Sequence, residues 1–185
     1  MKSLWFISFL FLISFSLQLI EGGVLTFRSP EVNLNIPDYG PAVSNSLSCT
    51  GLPSQISQYG IILVQTFITH SYPDDLVIQL ISPSSSLTKY LSNRQSEGNS
   101  GIFNGVIFDD KSSNSLDGSY YINPNDVRPK DKLSLFRGVN PNGNWTLKSE
   151  DKYLAPSGKL IKWTLQFTGY LSLSLFSLEF TNFNK

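Results

Sequence analysis

The clearest regularity along the chain is an alternation of apolar and polar residues between Leu160 and Phe167. A period of two is typical of a β-strand with one buried face and one exposed face. The residues predicted to face the core are Ile161, Trp163, Leu165 and Phe167, and those predicted to face solvent are Lys162, Thr164 and Gln166.

Two further strands are predicted at Ile61–Thr69 and Leu76–Ile81. The first is apolar on both faces, as expected for a central strand, whereas the second has Leu76, Ile78 and Leu80 on one face. The stretch Lys111–Lys132 is polar and is predicted to be a loop. Weaker patterns predict short strands at Val24–Phe27, Leu87–Leu91, Gly105–Phe108, Tyr120–Ile122 and Asn144–Lys148.

The segments between these strands are rich in Gly, Pro, Ser and Asn, which supply the backbone angles that turns require. After the N-terminal apolar run, no stretch has helical periodicity. About eight or nine short strands without crossover helices predict an all-β domain of two packed antiparallel sheets.

The two ends of the chain depart from this pattern. Lys2 precedes an uncharged apolar run of 17 residues, Leu4–Ile20, and small residues follow it. This arrangement is typical of a secretory signal peptide, so residues 1–22 are predicted to be cleaved and the protein to be secreted. The alternative is an uncleaved membrane anchor, for which the run is short. Residues 170–185 are predicted to be an apolar extension or an extra strand.

The charge balance argues against strongly anionic partners. The chain has 14 basic and 14 acidic residues, and a neutral surface offers no electrostatic reason to bind nucleic acid or an anionic membrane. The mature chain is not expected to be embedded in a membrane. Cys49 is the single cysteine, so no intramolecular disulfide is possible, and it is predicted to be a small buried apolar residue; the alternative is a reactive thiol or an intermolecular bridge.

Five segments, in order, carry a resemblance to a known family. The longest begins His70-Ser71-Tyr72-Pro73-Asp74-Asp75-Leu76 and continues through alternating apolar residues to Ser82-Pro83-Ser84. The others are Asn35-Ile36-Pro37-Asp38, Phe108-Asp109-Asp110, Asn142-Gly143-Asn144-Trp145-Thr146-Leu147, and Gly158-Lys159-Leu160 with Trp163-Thr164-Leu165-Gln166-Phe167. Together they resemble the P domain (P/Homo B domain) of subtilisin-like proprotein convertases, here over residues 23–169.

The resemblance implies a jelly-roll β-sandwich of the galactose-binding-like kind. In such a fold Trp145 and Trp163 are expected to anchor the core. His70 and Tyr72, beside Asp74 and Asp75, are expected to form a hydrogen-bonded cluster at a strand end. Asp74 and Ser85 stand where the family usually has glycine, so both turns are expected to differ here.

The sequence offers no protease active site. A catalytic triad needs an Asp, a His and a Ser assembled in one domain; the sequence has one histidine, and no catalytic domain is expected upstream of the P-domain-like segment. No catalytic residue is therefore assigned.

Asp75, Asp109 and Asp110 are the candidate ligands for Ca²⁺, which prefers carboxylate and carbonyl oxygens; the alternative is that they only solvate turns. Asn144 lies in the single Asn-x-Ser/Thr glycosylation sequon.

These observations favour a non-catalytic accessory module. The resemblance implies a free-standing P domain whose partner is a secreted subtilisin-like protease or another extracellular protein. The alternative is an extracellular module that binds carbohydrate or another ligand at one end of the jelly roll. Exposed tyrosine or tryptophan in a groove would favour sugar, whereas a flat apolar face would favour a protein partner.

Overall fold

The computed structural model describes residues 23–57, 60–84, 87–94, 101–116, 125–154 and 157–170. The predicted signal peptide, the predicted strand at Tyr120–Ile122, Ser85 and the tail beyond Tyr170 lie outside this part of the chain. Within it, no helix is long and apolar enough to cross a bilayer.

The described residues form a sandwich of two sheets. One sheet has six strands: β1 (Gly23–Arg28), β2 (Leu34–Ile36), β4 (Ile61–Thr69), β7 (Asn104–Phe108), β8 (Asp126–Val127) and β10 (Gly158–Tyr170). Their order is β1-β10-β4-β7-β8, and β2 pairs with the beginning of β10 beside β1. The other sheet has four strands: β3 (Val43–Cys49), β5 (Leu76–Ile81), β6 (Thr88–Asn93) and β9 (Gly143–Asp151), in the order β3-β9-β5-β6.

The all-β sandwich predicted from the sequence is confirmed, with one difference in pairing. Among the described strands every pair is antiparallel except β7 and β8, which are parallel. Strand β8 lies within the stretch predicted to be a loop; it pairs with β7 over two residues, and an isolated parallel bridge joins the next residue, Arg128, to Ser115. Two 3₁₀ turns, Pro73–Asp75 and Leu133–Phe136, complete the described elements.

The core lies between the sheets and is centred on aromatic side chains. Trp145 from β9 and Trp163 from β10 are fully buried. The Trp145 ring packs edge-on against Phe136 at 5.0 Å and lies 5.7 Å from Phe167 in the opposite sheet. Each indole N–H also has a partner, the Pro141 carbonyl for Trp145 and the Asn45 side chain for Trp163, both at 2.8 Å. Satisfied polar groups allow these large rings to be buried at little cost.

One strand departs from the predicted alternation. In β10, Leu160 is fully buried and Ile161 is only partly buried, whereas the pattern predicted Ile161 in the core. The register with β4 shifts between Leu160 and Lys162, which marks a β-bulge. The extra residue reverses the inward face, so Trp163, Leu165 and Phe167 keep their predicted positions while Ile161 loses its own.

Candidate binding surface at the His70 end of the sandwich

Several strand termini meet at one end of the sandwich, which we call the His70 end. β4 and β9 finish there at Thr69 and Asp151, and β10 begins there at Gly158, opposite Ile36 of β2. β5 begins there as well, at Leu76. Residues far apart in the sequence are therefore brought together by the pairing of these strands.

His70 is the buried centre of this end. Its Nε2 lies 3.0 Å from Oδ2 of Asp151, and its Nδ1 lies 2.8 Å from the Tyr72 carbonyl oxygen and 3.1 Å from the Tyr72 amide nitrogen. The two paired side chains are 1% and 0% exposed. The other Asp151 oxygen accepts a hydrogen bond from the Tyr153 amide. The pair thus ties the backbone after β4 to the backbone after β9.

Gly158 makes this burial possible. A Cβ atom at this position would collide with the His70 ring and with the Thr69 carbonyl oxygen. The histidine and the glycine of two separate sequence motifs therefore touch in the fold. A second glycine is also required by close packing: Gly143 has a φ of +121°, and a Cβ there would lie 2.8 Å from Pro83.

Carboxylates surround the histidine. Asp75 is 8% exposed, and burial raises the pKa of its carboxyl group above the ordinary value. The charges of Asp74 and Asp151 raise this pKa further, whereas those of His70 and Arg94 act in the opposite direction. The hydrogen-bonded cluster around His70 therefore has different partners from those predicted from the sequence. Tyr72 contributes backbone atoms while its side chain is 52% exposed, and Asp151 supplies the carboxylate that bonds the histidine.

Large side chains are exposed on the same end. Tyr39 is 67%, Tyr153 58% and Leu154 77% exposed, and Tyr72 joins them. The guanidinium carbon of Arg94 lies 5.3 Å from the centre of the Tyr153 ring, within the range of a cation–π contact. Tyrosine, leucine and arginine together on one end form a surface suited to contact with another molecule.

A cleft of about 450 Å³ opens beside these residues. Its walls come from the turn after β2, from the end of β6 and from the end of β9. The lining residues are Tyr39, Gly40, Val77, Asn93, Arg94, Glu150, Asp151 and Lys152. This volume lies in the range typical of sites for small ligands.

The structure does not bring the three predicted calcium ligands together. Asp109 and Asp110 follow β7, whose last residue Phe108 pairs with Val64 near the start of β4, while Asp75 lies beyond its end. The length of β4 separates the two places by roughly 25 Å, which is too far for one ion. Asp110 instead accepts the amides of Leu133 (2.7 Å) and Ser134 (2.8 Å).

Calcium binding by the chain stays a prediction. Among the described residues, no group of three or more His, Cys, Asp or Glu side chains is arranged to hold a metal ion.

Glycosylation of Asn144 also stays a prediction; this residue is exposed on β9. Cys49 lies in the core, and burial raises the pKa of its thiol to about 12.

Three residues of the His70 end were missed by the sequence reasoning. Asp151 could have been found, because the period-two pattern from Trp145 through Leu147 and Ser149 continues inward to it. Tyr39 and Arg94 had no such signal, since each follows a short strand and its position depends on a turn.

Comparisons with known proteins identify a domain within the chain. The family model described as the proprotein convertase P-domain matches residues 61–167. Two solved structures are similar, the serine protease of Aeromonas sobria in complex with a chaperone and the same protease alone. Both have 18% sequence identity to this chain and a TM-score of 0.46. The aligned regions cover 81% and 80% of this chain but only 28% and 27% of the two protease chains. No curated protein matches the chain.

Proposed function

The chain belongs to the proprotein convertase P-domain family, and from this membership we propose that it is a secreted accessory module that binds a subtilisin-like serine protease. P domains are non-catalytic accessory domains of proteases. The observation that carries the proposal is the family match, which spans the framework from β4 to β10. The N-terminal pattern of charge and hydropathy supports export.

The state of His70 supports a non-catalytic role. A general base needs a ring nitrogen within reach of the nucleophile, and both nitrogens of His70 are engaged, one by Asp151 and one by the Tyr72 backbone. The chain has no second histidine. Its only imidazole therefore serves the fold.

The exposed residues at the His70 end supply a surface for the protease. We define the docking patch as Tyr72, Tyr153 and Leu154, which are more than half exposed. Burying Leu154, exposed at 77%, against a partner would contribute about 1.5 to 3 kcal/mol. Tyrosine rings add large contact area with few rotatable bonds, so little entropy is lost on docking.

A matched pair of leucines tests the docking patch. Leu135, in the 3₁₀ turn Leu133–Phe136 outside the His70 end, is 54% exposed, so Leu135→Ser is the control for Leu154→Ser. The tagged protein is incubated with the secreted fraction of its own cells, and captured serine proteases are labelled with a fluorophosphonate probe and identified by mass spectrometry. We expect a labelled subtilisin-like protease, about tenfold less of it with Leu154→Ser, and no loss with Leu135→Ser.

Two results would overturn the proposal. One is the absence of any labelled subtilisin-like protease on the wild-type protein, and the other is labelling of the purified chain itself. Equal loss in both leucine variants would leave the partner in place but exclude the docking patch.

A further inference from the structure

We propose that the cleft at the His70 end is a binding site for a neutral carbohydrate. The proposal goes beyond the accessory function and does not depend on it, because the cleft residues Tyr39, Asn93 and Glu150 lie outside the docking patch. Four properties of the lining support it: backbone strain, an exposed aromatic ring, balanced charge and paired polar groups.

Backbone strain is concentrated at the cleft. In the described part of the chain three non-glycine residues have positive φ, namely Asn33, Tyr39 and Arg94. Asparagine tolerates this left-handed conformation, but tyrosine and arginine do not favour it. Both of the disfavoured residues line the cleft, with φ of +44° and +57°. Strain of this kind is found where a binding site fixes a side chain in place.

The turn that carries Tyr39 shows how this strain arises. The Gly40 amide lies 3.4 Å from the Pro37 carbonyl oxygen, which closes a turn with Tyr39 in its third position. Glycine or asparagine normally takes a left-handed position in such a turn. Tyrosine there presents a ring that is 67% exposed at the rim of the cleft. Packing within the domain does not account for an exposed ring held at the cost of a strained backbone.

Contacts within the domain hold Arg94, which also lines the cleft. The Arg94 amide donates to the Leu76 carbonyl at 3.1 Å, and the guanidinium carbon of Arg94 lies 5.3 Å from the centre of the Tyr153 ring. A guanidinium presents parallel N–H groups in a rigid fork, which suit two neighbouring acceptor oxygens. Vicinal hydroxyls of a sugar ring have this spacing, and the apolar C–H face of the ring can pack on Tyr39.

The charge of the lining favours a neutral ligand. The cleft has two basic residues, Arg94 and Lys152, and two acidic ones, Glu150 and Asp151, so it has no net charge. Lys152 Nζ lies 2.5 Å from Glu150 Oε1, and both Asp151 oxygens have partners within the domain. An anionic ligand would meet the carboxylates of Glu150 and Asp151 beside Arg94, and a cationic ligand would meet Arg94 and Lys152. Hydroxyl groups both donate and accept, so they suit a wall that holds donors and acceptors of both charges and also includes Asn93.

Saturation-transfer NMR tests this proposal directly. The purified protein is mixed separately with galactose, glucose, mannose, N-acetylglucosamine and N-acetylgalactosamine at millimolar concentration, with glucuronic acid and galactose 6-sulfate as charged comparisons. We expect saturable transfer to at least one neutral sugar and none, or at least tenfold weaker binding, for the charged ones. Failure of every neutral sugar, or preference for a charged one, overturns the proposal.

Matched tyrosine variants locate the site. Tyr39→Asn removes the ring but suits the left-handed backbone, so it should melt no lower than wild type while sugar affinity falls at least about tenfold. Tyr72→Asn removes an exposed ring outside the cleft and should leave sugar affinity within twofold. A sugar that binds Tyr39→Asn as well as wild type contradicts the site. If Tyr39→Asn still captures the protease, sugar binding by the cleft and protease binding by the docking patch can be tested independently of each other.

Discussion

At the scale of single residues, the carboxyl group of Asp75 is buried near His70, and burial opposes its negative charge. Asp75 lies in this region beside Asp74 and Asp151, and burial is the largest cause of its raised pKa. A carboxyl group whose pKa is higher in the folded than in the unfolded state holds its proton longer when folded. Stability is therefore full below the unfolded pKa and falls as the pH rises through the folded value.

Asp75→Asn should consequently stabilise the protein at pH 7, because the amide has no charge to bury. The gain in melting temperature should shrink as the pH is lowered toward 3, where Asp75 itself is protonated in both states. Melting curves recorded between pH 3 and 7 measure this difference. Asp151→Asn is the contrast, since it removes the partner of His70 at 3.0 Å and should lower the melting temperature at pH 7. A lower melting temperature for Asp75→Asn at pH 7, or a gain that does not change with pH, would contradict the argument.

At the scale of elements, the contact between Gly158 of β10 and His70 after β4 makes a strong steric prediction. Gly158→Ala should lower the free energy of unfolding by about 1 to 3 kcal/mol, because a backbone carbonyl and a buried ring must move. Urea denaturation measures the loss. Gly138→Ala is the control: φ there is +82° and no atom lies within 4 Å of the added Cβ, so only the backbone conformation is penalised. Equal stability of Gly158→Ala and wild type would exclude the collision.

The elements also show what sequence patterns can predict. Strands β4, β5 and β10 were placed to within three residues at each end because each buries a run of large apolar side chains. β2 and β3 were missed, since β2 has three residues, and in β3 serine fills every second position while Asn45 interrupts the apolar series of Val43, Leu47 and Cys49. The bulge in β10 depends on its register with β4, which no local pattern records. The same holds for the cleft, whose residues are assembled by strand pairing.

At the scale of the whole molecule, the two sheets share one core and should unfold together. Trp145 reports on the four-stranded sheet and Trp163 on the six-stranded sheet, and Trp145 contacts Phe167 across the interface. In a protein that begins at residue 23, the predicted mature start, Trp145 and Trp163 are the two tryptophans, so Trp163→Phe and Trp145→Phe each leave one reporter, in one sheet or the other. In each variant the fluorescence midpoint in urea should coincide with that from far-UV circular dichroism. A fluorescence midpoint displaced from the circular dichroism midpoint would show that one sheet melts first.

The position of β10 has a consequence for how the protein is made. β10 pairs with β1, β2 and β4, yet it is the last described strand to leave the ribosome. At about 5 to 20 residues per second, β1 waits on the order of ten seconds for its partner during translation. Until then the backbone N–H and C=O groups of β4 that later pair with β10 are open to wrong pairings, and the apolar inner face of the first strands is exposed. Nascent chains halted before residue 158 should therefore remain unfolded and depend on holding factors, and closure of the sandwich should begin only when synthesis of β10 is complete.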